Sequence, residues 1–244
     1  MFLRFRWLAV LAILIPAARG DTIAYWRFED RSGQMVADVS GNDNTGLLSG
    51  GVTFSNLVPF STVPQTGATD QYSLVFDGTG AVTIPDSSSL RPNSGFTAEA
   101  WIYTPAGGWV ILGKQFQGGY NNSFQLEIRP EGLLRFQLTD TANRASIITA
   151  PRPTLNSWHH VAGEWDGSSM RLLLDGVEVA AAPFAGPIGY DANSVLIGAD
   201  NDAVLGGGPA CCFLVGLIDE VRLSDVALRP QSHDHAPPKP DTLW

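Results

Sequence analysis

Apolar and polar residues alternate along several short segments of the chain, and this pattern predicts β-strands. Within residues 123–129 every second residue is apolar, and the same period returns within 133–138. Pro130-Glu131-Gly132 separates the two segments, and its glycine can adopt a positive φ, so the sequence predicts a hairpin. Strands with one apolar and one polar face are typical of antiparallel sheets with one solvated side.

The rest of the chain repeats this organisation. A second hairpin is predicted from residues 170–174 and 177–181, joined by Asp175-Gly176. Further strands are predicted at residues 96–103, 158–165, 194–199 and 213–223. We find no long segment with helical period and caps, so little helix is expected. Many short strands at regular spacing predict an all-β fold of two antiparallel sheets packed face to face, with residues 21–228 as one domain.

The two ends depart from the strand pattern. Arg4 and Arg6 precede an apolar run over residues 7–15, and small residues lead up to Gly20. Residues 1–20 are therefore interpreted as a secretory signal peptide, with an uncleaved anchor as the alternative. Residues 229–244 contain four prolines and are interpreted as a flexible tail. We expect a secreted or extracytoplasmic protein that is not inserted in a membrane after cleavage of the signal peptide.

Charge and cysteine content exclude several classes of protein. The chain of 244 residues has a formal net charge of -9 and two lysines, so it lacks the basic surface that nucleic acids require. Its two cysteines cannot form a cysteine-based zinc site or a disulfide scaffold. Cys211 and Cys212 are adjacent, so an internal disulfide would join neighbours. Export permits such a bridge, and two reduced thiols are the alternative.

Nine short phrases follow one another in a characteristic order. They are residues 25–28, 38–46, 74–78, 82–85, 96–102, 158–162, 172–176, 196–199 and 216–222. Together they resemble the laminin-G-like family of the concanavalin A-like lectin/glucanase superfamily, which implies a jelly-roll sandwich. Trp26, Trp101 and Trp158 of these phrases are expected to fill the core between the sheets. This fold carries lectins, adhesion modules and glucanases, so it does not by itself specify a function.

The sequence lacks the carboxylate pattern of the superfamily's glucanases. Those enzymes use two carboxylates at positions i and i+4 of one strand, around a central Asp, as acid and nucleophile. The nearest match, Glu164-Trp165-Asp166, lacks the second glutamate. Asp219 and Glu220 are adjacent, so they are expected to face opposite sides of their strand. We therefore expect no catalytic activity, and a glycoside hydrolase is the less favoured interpretation.

Aromatic residues near turns suggest a binding function. Aromatic rings stack on the apolar faces of sugars, while acidic and amide groups orient sugar hydroxyls. The candidate ligand-binding residues are Trp109, Tyr120, Trp165 and Tyr190. The leading hypothesis is an exported, non-catalytic binding module for carbohydrate or a cell-surface component. The alternative is a structural or protein–protein interaction domain without a small ligand.

A structural calcium ion is the last expectation. Residues 38–46 form an Asp- and Asn-rich loop, and Asp219 shares the apolar phase of residues 217, 221 and 223, so its carboxylate needs a partner. The resemblance implies a calcium ion near the first and last strands. The candidate ligands are Asp38, Asn42, Asn44, Asp77 and Asp219. Alternatively, Asp38 and Asn42 cap their own loop, and Asp219 accepts amide hydrogen bonds or pairs with an arginine.

Overall fold

The computed structural model describes residues 22–64, 66–105, 108–117, 121–201 and 210–228, and these ranges contain sixteen β-strands. A single turn of 3-10 helix, Ser88–Leu90, is the one helical element that they contain. In chain order the strands are β1 (Thr22–Trp26), β2 (Met35–Val36), β3 (Gly46–Ser49), β4 (Val52–Ser55), β5 (Ser73–Asp77), β6 (Ala81–Ile84), β7 (Phe96–Tyr103), β8 (Val110–Gln115), β9 (Asn122–Arg129), β10 (Leu133–Thr139), β11 (Ala145–Pro151), β12 (Trp158–Trp165), β13 (Ser169–Leu174), β14 (Val177–Pro183), β15 (Val195–Ile197) and β16 (Val215–Ser224).

The strands form two antiparallel sheets, which confirms the predicted jelly-roll sandwich. The front sheet has the order β14-β13-β12-β7-β16-β5-β4, and β1 pairs with the second half of β16. The back sheet has the order β11-β10-β9-β8-β15-β6-β3-β2. In the part of the chain that the structure describes, no helix is long and apolar enough to cross a bilayer. The predicted signal peptide and tail lie outside the described residues.

The main hydrophobic core lies between the two sheets. Phe96 of the front sheet packs on Phe124 of the back sheet, with ring centroids 4.6 Å apart. Gly163 of β12 lies directly under the ring of Phe136 of β10, where a Cβ atom would be 2.3 Å from the ring. Trp26 is buried in this core as predicted. These contacts pack the inner face of the front sheet against the back sheet, so the polar side chains of its strands lie on the outer face.

Both predicted hairpins are confirmed. Arg129 of β9 pairs with Leu133 of β10, and Gly132 in the turn has a φ of 87°. The turn between β13 and β14 has positive φ at both central residues, 51° at Asp175 and 75° at Gly176. Such two-residue turns match the twist of the adjoining strands.

A β-bulge interrupts β16 and changes the faces of its residues. The register of β16 against β7 shifts between Asp219 and Arg222, and Glu220 has a φ of 49°. As a result, the side chains of Ile218, before the bulge, and Val221, after it, both lie in the core. The expectation that Asp219 shares the phase of Val221 is wrong, since the bulge reverses the alternation between them. The expectation that Asp219 and Glu220 face opposite sides is also wrong, because their carboxylates lie in one cluster.

Candidate functional site

The outer face of the front sheet contains a small charged recess. The strands β1, β16, β7 and β12 lie side by side there, so their outward side chains converge. Its empty volume is about 260 Å³, including the part open to solvent. We call this depression the recess, and its lining residues are Tyr25, Glu99, Trp101, His160, Glu220 and Arg222. Much of this space is open to solvent, so the recess can accommodate one small polar group or the end of a larger molecule.

Glu99 lies between two nitrogen donors. Its Oε2 atom is 3.0 Å from Nε2 of His160, and its Oε1 atom accepts a hydrogen bond from Nε of Arg222. Arg222 is placed opposite Glu99 by the register of β16 against β7. Both Glu99 and His160 are buried, so these contacts offset the desolvation of the carboxylate.

Glu220 forms the second acidic wall of the recess. Its Oε2 atom accepts a hydrogen bond from the hydroxyl of Tyr25, and its Oε1 atom lies 3.2 Å from Nε of Arg27. Burial raises the pKa of Glu220 to about 8, although the charge of Arg222 acts in the opposite direction. The carboxyl group is therefore able to carry a proton near neutral pH.

An aromatic cluster lies next to the recess on the outer face of the front sheet. The segment between β4 and β5 crosses the outer face and places Phe60 and Val63 on Trp101, with Trp158 packed against them. The rings of Phe60 and Trp101 meet edge to face at 5.3 Å. The prediction that Trp101 and Trp158 fill the core between the sheets is therefore wrong. Trp101 is buried and Trp158 is half-buried because a connecting segment covers the outer face.

Three carboxylates meet next to the recess. Oxygen atoms of Asp70, Asp219 and Glu220, which we call the carboxylate cluster, lie within 4.8 Å of one another. Burial raises the pKa of Asp70 to about 7, and the neighbouring charge of Glu29 adds to this. Burial, followed by the charge of Asp70, raises the pKa of Asp219 well above its usual range. The cluster therefore resists holding several negative charges at once.

The structure brings Asp38, Asn42 and Asn44 together, but as a loop closed by hydrogen bonds. The carboxylate of Asp38 accepts the backbone N–H groups of Tyr25, Ser40 and Asn44 at 2.8–3.0 Å. The side-chain amides of Asn42 and Asn44 both donate to the carbonyl of Ile23. The carboxylate of Asp38 is thus fully used in capping its loop, which was the alternative that the sequence left open.

The other two predicted calcium ligands lie in different surroundings. Asp77 accepts hydrogen bonds from the backbone N–H and the hydroxyl of Thr79, at 2.9 and 2.7 Å, in its own turn. Asp219 belongs to the carboxylate cluster, which includes neither Asp38 nor Asp77. The five predicted ligands are therefore distributed over three separate hydrogen-bonded groups.

The predicted aromatic ligand-binding residues also differ in their surroundings. Trp165 is buried in the core and donates its indole N–H to the carbonyl of Phe184 at 2.8 Å, so its ring presents no face to a ligand. Tyr190 packs against the core, and its hydroxyl is buried. Trp109 is half-buried, with the guanidinium of Arg129 5.5 Å from its ring centroid. Tyr120 lies outside the described residues.

Cys211 and Cys212 follow the segment 202–209, which the structure does not describe. Their Sγ atoms lie 2.7 Å apart, and both side chains are half-buried. Cys211 pairs with Asp200 through two backbone hydrogen bonds of 2.8 and 3.0 Å. This backbone pairing attaches Cys211 to the segment that follows β15 of the back sheet.

Sequence reasoning missed most of the residues of the recess and the cluster. A signal was present, because Glu99 interrupts the apolar strand 96–102 and an acidic pair interrupts β16. A charged residue in an apolar strand often indicates a specific partner. Asp70 carried no such signal, since it lies in a connecting segment whose path over the sheet depends on tertiary packing.

Comparison with known proteins gives a consistent family and fold. A family model described as the concanavalin A-like lectin/glucanases superfamily matches residues 76–232. No curated protein matches the sequence. Among solved structures, the chain is similar to the binding domain of Paraclostridial mosquitocidal protein 1, at 13% identity and a TM-score of 0.65, covering 88% of this chain and 51% of that one.

Two further structures share the fold. One is domain 4 of AbnA, an extracellular arabinanase from Geobacillus stearothermophilus, in complex with arabinotriose, at 16% identity and a TM-score of 0.60, covering 92% of this chain and 99% of that one. The other is the binding domain of botulinum neurotoxin DC in complex with rat synaptotagmin II, at 13% identity and a TM-score of 0.62, covering 88% and 50%. The chain spans about half the length of the two toxin domains. The family model covers more than half of the sequence, and the protein belongs to the concanavalin A-like lectin/glucanase superfamily.

Proposed function

We propose that this protein is an exported, non-catalytic binding module that recognises a carbohydrate or another component of a cell surface. Membership of a superfamily that includes lectins is consistent with this role. Three proteins of the same fold are described as binding domains or were solved with a bound sugar or protein. The recess on the front sheet is the feature of the described residues that favours a small polar ligand.

The observation that carries the proposal is the alternation of donors and acceptors around the recess. The guanidinium of Arg222 and the hydroxyl of Tyr25 are placed beside the carboxylates of Glu99 and Glu220. A sugar hydroxyl both donates and accepts hydrogen bonds, so it can bind between such groups. Each carboxylate also has a cationic neighbour, and the chain has a net charge of -9, so a neutral sugar is favoured over an acidic one.

The arrangement of the carboxylates supports binding without hydrolysis. Glycoside hydrolysis requires one carboxyl group to protonate the leaving oxygen and a second carboxylate to attack or to activate water. Glu99 is held by Arg222 and His160, and both oxygens of Glu220 contact Tyr25 or Arg27. These contacts engage both oxygens of each lining carboxylate, so neither group is free to attack a sugar carbon or to activate a water molecule.

Binding of the purified chain to a panel of neutral and acidic glycans tests this proposal. Tyr25→Phe removes the hydroxyl that contacts Glu220 and changes little else, so we expect it to weaken glycan binding at least several-fold. Trp109→Ala alters a half-buried ring on the other sheet and is the control. If Trp109→Ala abolishes binding while Tyr25→Phe does not, the sugar binds at Trp109 and the recess is excluded.

Two other outcomes would overturn the proposal itself. Release of reducing sugar from a bound glycan, abolished by Glu99→Gln, would identify an enzyme. Absence of binding to every glycan, together with a stable complex with a purified surface protein, would favour the protein-interaction alternative. An added protein partner should then contact an apolar patch rather than the recess.

A further inference from the structure

Three acidic side chains from two separate parts of the chain meet at the carboxylate cluster. Asp70 lies in the segment that crosses the outer face of the front sheet, and Asp219 and Glu220 lie at the bulge of β16. One oxygen of each is within 4.8 Å of one oxygen of each of the others. Two ligand atoms on opposite sides of a calcium ion are about 4.6–5.2 Å apart, because each lies about 2.3–2.6 Å from the ion. The three oxygens thus have the spacing of ligands around one ion.

The cluster contains buried oxygen atoms that accept no hydrogen bond from the described residues. Asp70 is 3% exposed, and its carboxylate oxygens have no N–H or hydroxyl donor; the groups with which they interact include the carboxyls of Glu29 and Asp219. Asp219 is 0% exposed; its Oδ1 accepts the backbone N–H of Glu220 at 2.8 Å, whereas Oδ2 has no donor. A buried ionised carboxylate without a partner is very unfavourable, so these atoms point to a ligand between them.

Positive charge among the neighbouring described residues does not balance the cluster. Nε of Arg27 lies 3.2 Å from Oε1 of Glu220, and Nη2 of Arg27 donates a hydrogen bond of 2.7 Å to the carbonyl of Thr69. Glu29 adds a further negative charge close to Asp70, and its carboxylate accepts two backbone N–H groups. Arg222 also acts on Glu220 but is already paired with Glu99, so two guanidinium groups face these four acidic groups and Glu99, and a divalent cation would neutralise much of the remaining charge.

We propose that Asp70, Asp219 and Glu220 together bind a calcium ion beside the recess. The donor set consists only of carboxylate oxygens, which hard cations prefer, and includes no histidine or cysteine that would favour zinc. Magnesium usually retains several water molecules, whereas Asp219 is fully buried and leaves little room for them. Calcium tolerates irregular geometry and is the cation that these ligands suit best.

This ligand set differs from the one that the resemblance implied. Asp38 lies outside the cluster, and each of its carboxylate oxygens accepts two hydrogen bonds, whereas each oxygen of Glu220 has one such contact. Asp219 is common to the two sets, but its partners are Asp70 and Glu220. The cation would bind at the cluster whether or not the recess recognises a sugar, although Glu220 belongs to both.

Thermal unfolding of the purified full chain tests the proposal. The protein is stripped with EDTA, transferred to chelator-free buffer at pH 7.5, and melted with and without calcium chloride. At a hundredfold excess of calcium over Kd, the midpoint of wild type should rise by about 5–10 °C. Asp70→Asn keeps the shape of the side chain but removes its charge, so the variant should fold and should lose this rise. Asp77→Asn, which changes an aspartate outside the cluster, should retain it.

Direct binding gives a second measurement. Titration calorimetry with calcium chloride should give one site in wild type and at least a tenfold weaker Kd in Asp70→Asn and Asp219→Asn. An equal calcium response in wild type and Asp70→Asn would overturn the proposal, as would loss of the response in Asp77→Asn alone. A wild-type protein with no bound metal by elemental analysis and no shift in calcium would also overturn it. A response to magnesium but not to calcium would contradict the choice of ion.

Discussion

His160 and Glu99 form a buried contact across two neighbouring strands, with Nε2 of the histidine 3.0 Å from Oε2 of the glutamate. The second oxygen of Glu99 accepts a hydrogen bond from Arg222 on the other side. One carboxylate of β7 therefore connects the adjacent strands β12 and β16 on the outer face of the front sheet. Its contribution to stability should exceed that of an exposed ion pair.

Glu99→Gln should lower the free energy of unfolding by about 3 kcal/mol, because it leaves Arg222 without its buried carboxylate partner. Urea unfolding at pH 7 measures the difference. Glu131→Gln is the matched control, since Glu131 is an exposed partner of Arg129 and its loss should leave the midpoint unchanged. Equal effects of the two substitutions would show that burial adds nothing to the Glu99 contacts.

Gly163→Ala should destabilise the protein by about 1–3 kcal/mol, because the added methyl group would overlap the ring of Phe136. Combining it with Phe136→Leu should cost less than the sum of the two single substitutions, since the smaller side chain makes room. Gly113→Ala, where the nearest atoms are 3.5 Å away, is the control and should be almost neutral. Strict additivity of the first pair would contradict this packing.

Asp166→Asn should reduce stability at neutral pH and have less effect in acid. Partial burial disfavours ionisation of Asp166, but hydrogen bonds from Arg171, Ser168 and Ser169 outweigh it and hold the pKa of the carboxyl well below its usual range. The unfolded pKa is about 3.9, so the ionised group stabilises the folded state above about pH 4 and loses this effect as the pH falls through the folded pKa.

Urea unfolding of wild type and Asp166→Asn should therefore differ by about 1 kcal/mol at pH 7 and by less at about pH 2. Asp43→Asn is a suitable control, because Asp43 is exposed and Asn also accepts its φ of 59°. A difference that grows as the pH falls would have the wrong sign for a carboxylate with a lowered pKa.

Cys211 and Cys212 should form a disulfide between neighbouring residues when the protein is exported. Their Sγ atoms are 2.7 Å apart, and a backbone pairing with Asp200 holds the first cysteine in place. Thiol titration of the denatured, unreduced protein should find no free thiol, and Cys212→Ser should expose one. Two free thiols in wild type would exclude the bridge and support the alternative of reduced cysteines.

Cleavage of the leader is expected after Gly20, which gives a chain beginning at Asp21. Intact mass spectrometry of protein recovered from the medium or the periplasm checks this. Membrane-bound material that retains Met1 would instead identify an uncleaved anchor. Arg6→Glu should impair export if the positive charge before the apolar run is required.

The hairpins could be predicted from sequence because their information is local. Alternation fixes the faces of β9 and β10, and the Asp175-Gly176 turn fixes the register of β13 against β14. The faces of β16 could not be predicted from the same rule. A bulge at Glu220 inserts one residue out of phase, and nothing in the local sequence requires a positive φ at a glutamate.

The site was harder to predict than the sheets because it depends on long-range contacts. Asp70 reaches Asp219 only when the segment between β4 and β5 crosses the front sheet. The sequence predicts the burial of Trp101 correctly, whereas the side on which it is buried depends on that same crossing. Sequence pattern predicts how much a side chain is buried more readily than it predicts what covers it.

Glu220 has consequences for both halves of this surface, because the bulge in β16 makes it a member of the recess and of the carboxylate cluster. A ligand that hydrogen-bonds to this carboxylate and a cation bound at the cluster would compete for one side chain. Thermodynamic linkage makes their influence reciprocal: the factor by which one changes the affinity of the other acts equally in both directions. The left-handed conformation of Glu220 would thereby couple sugar binding in the recess to calcium binding in the carboxylate cluster.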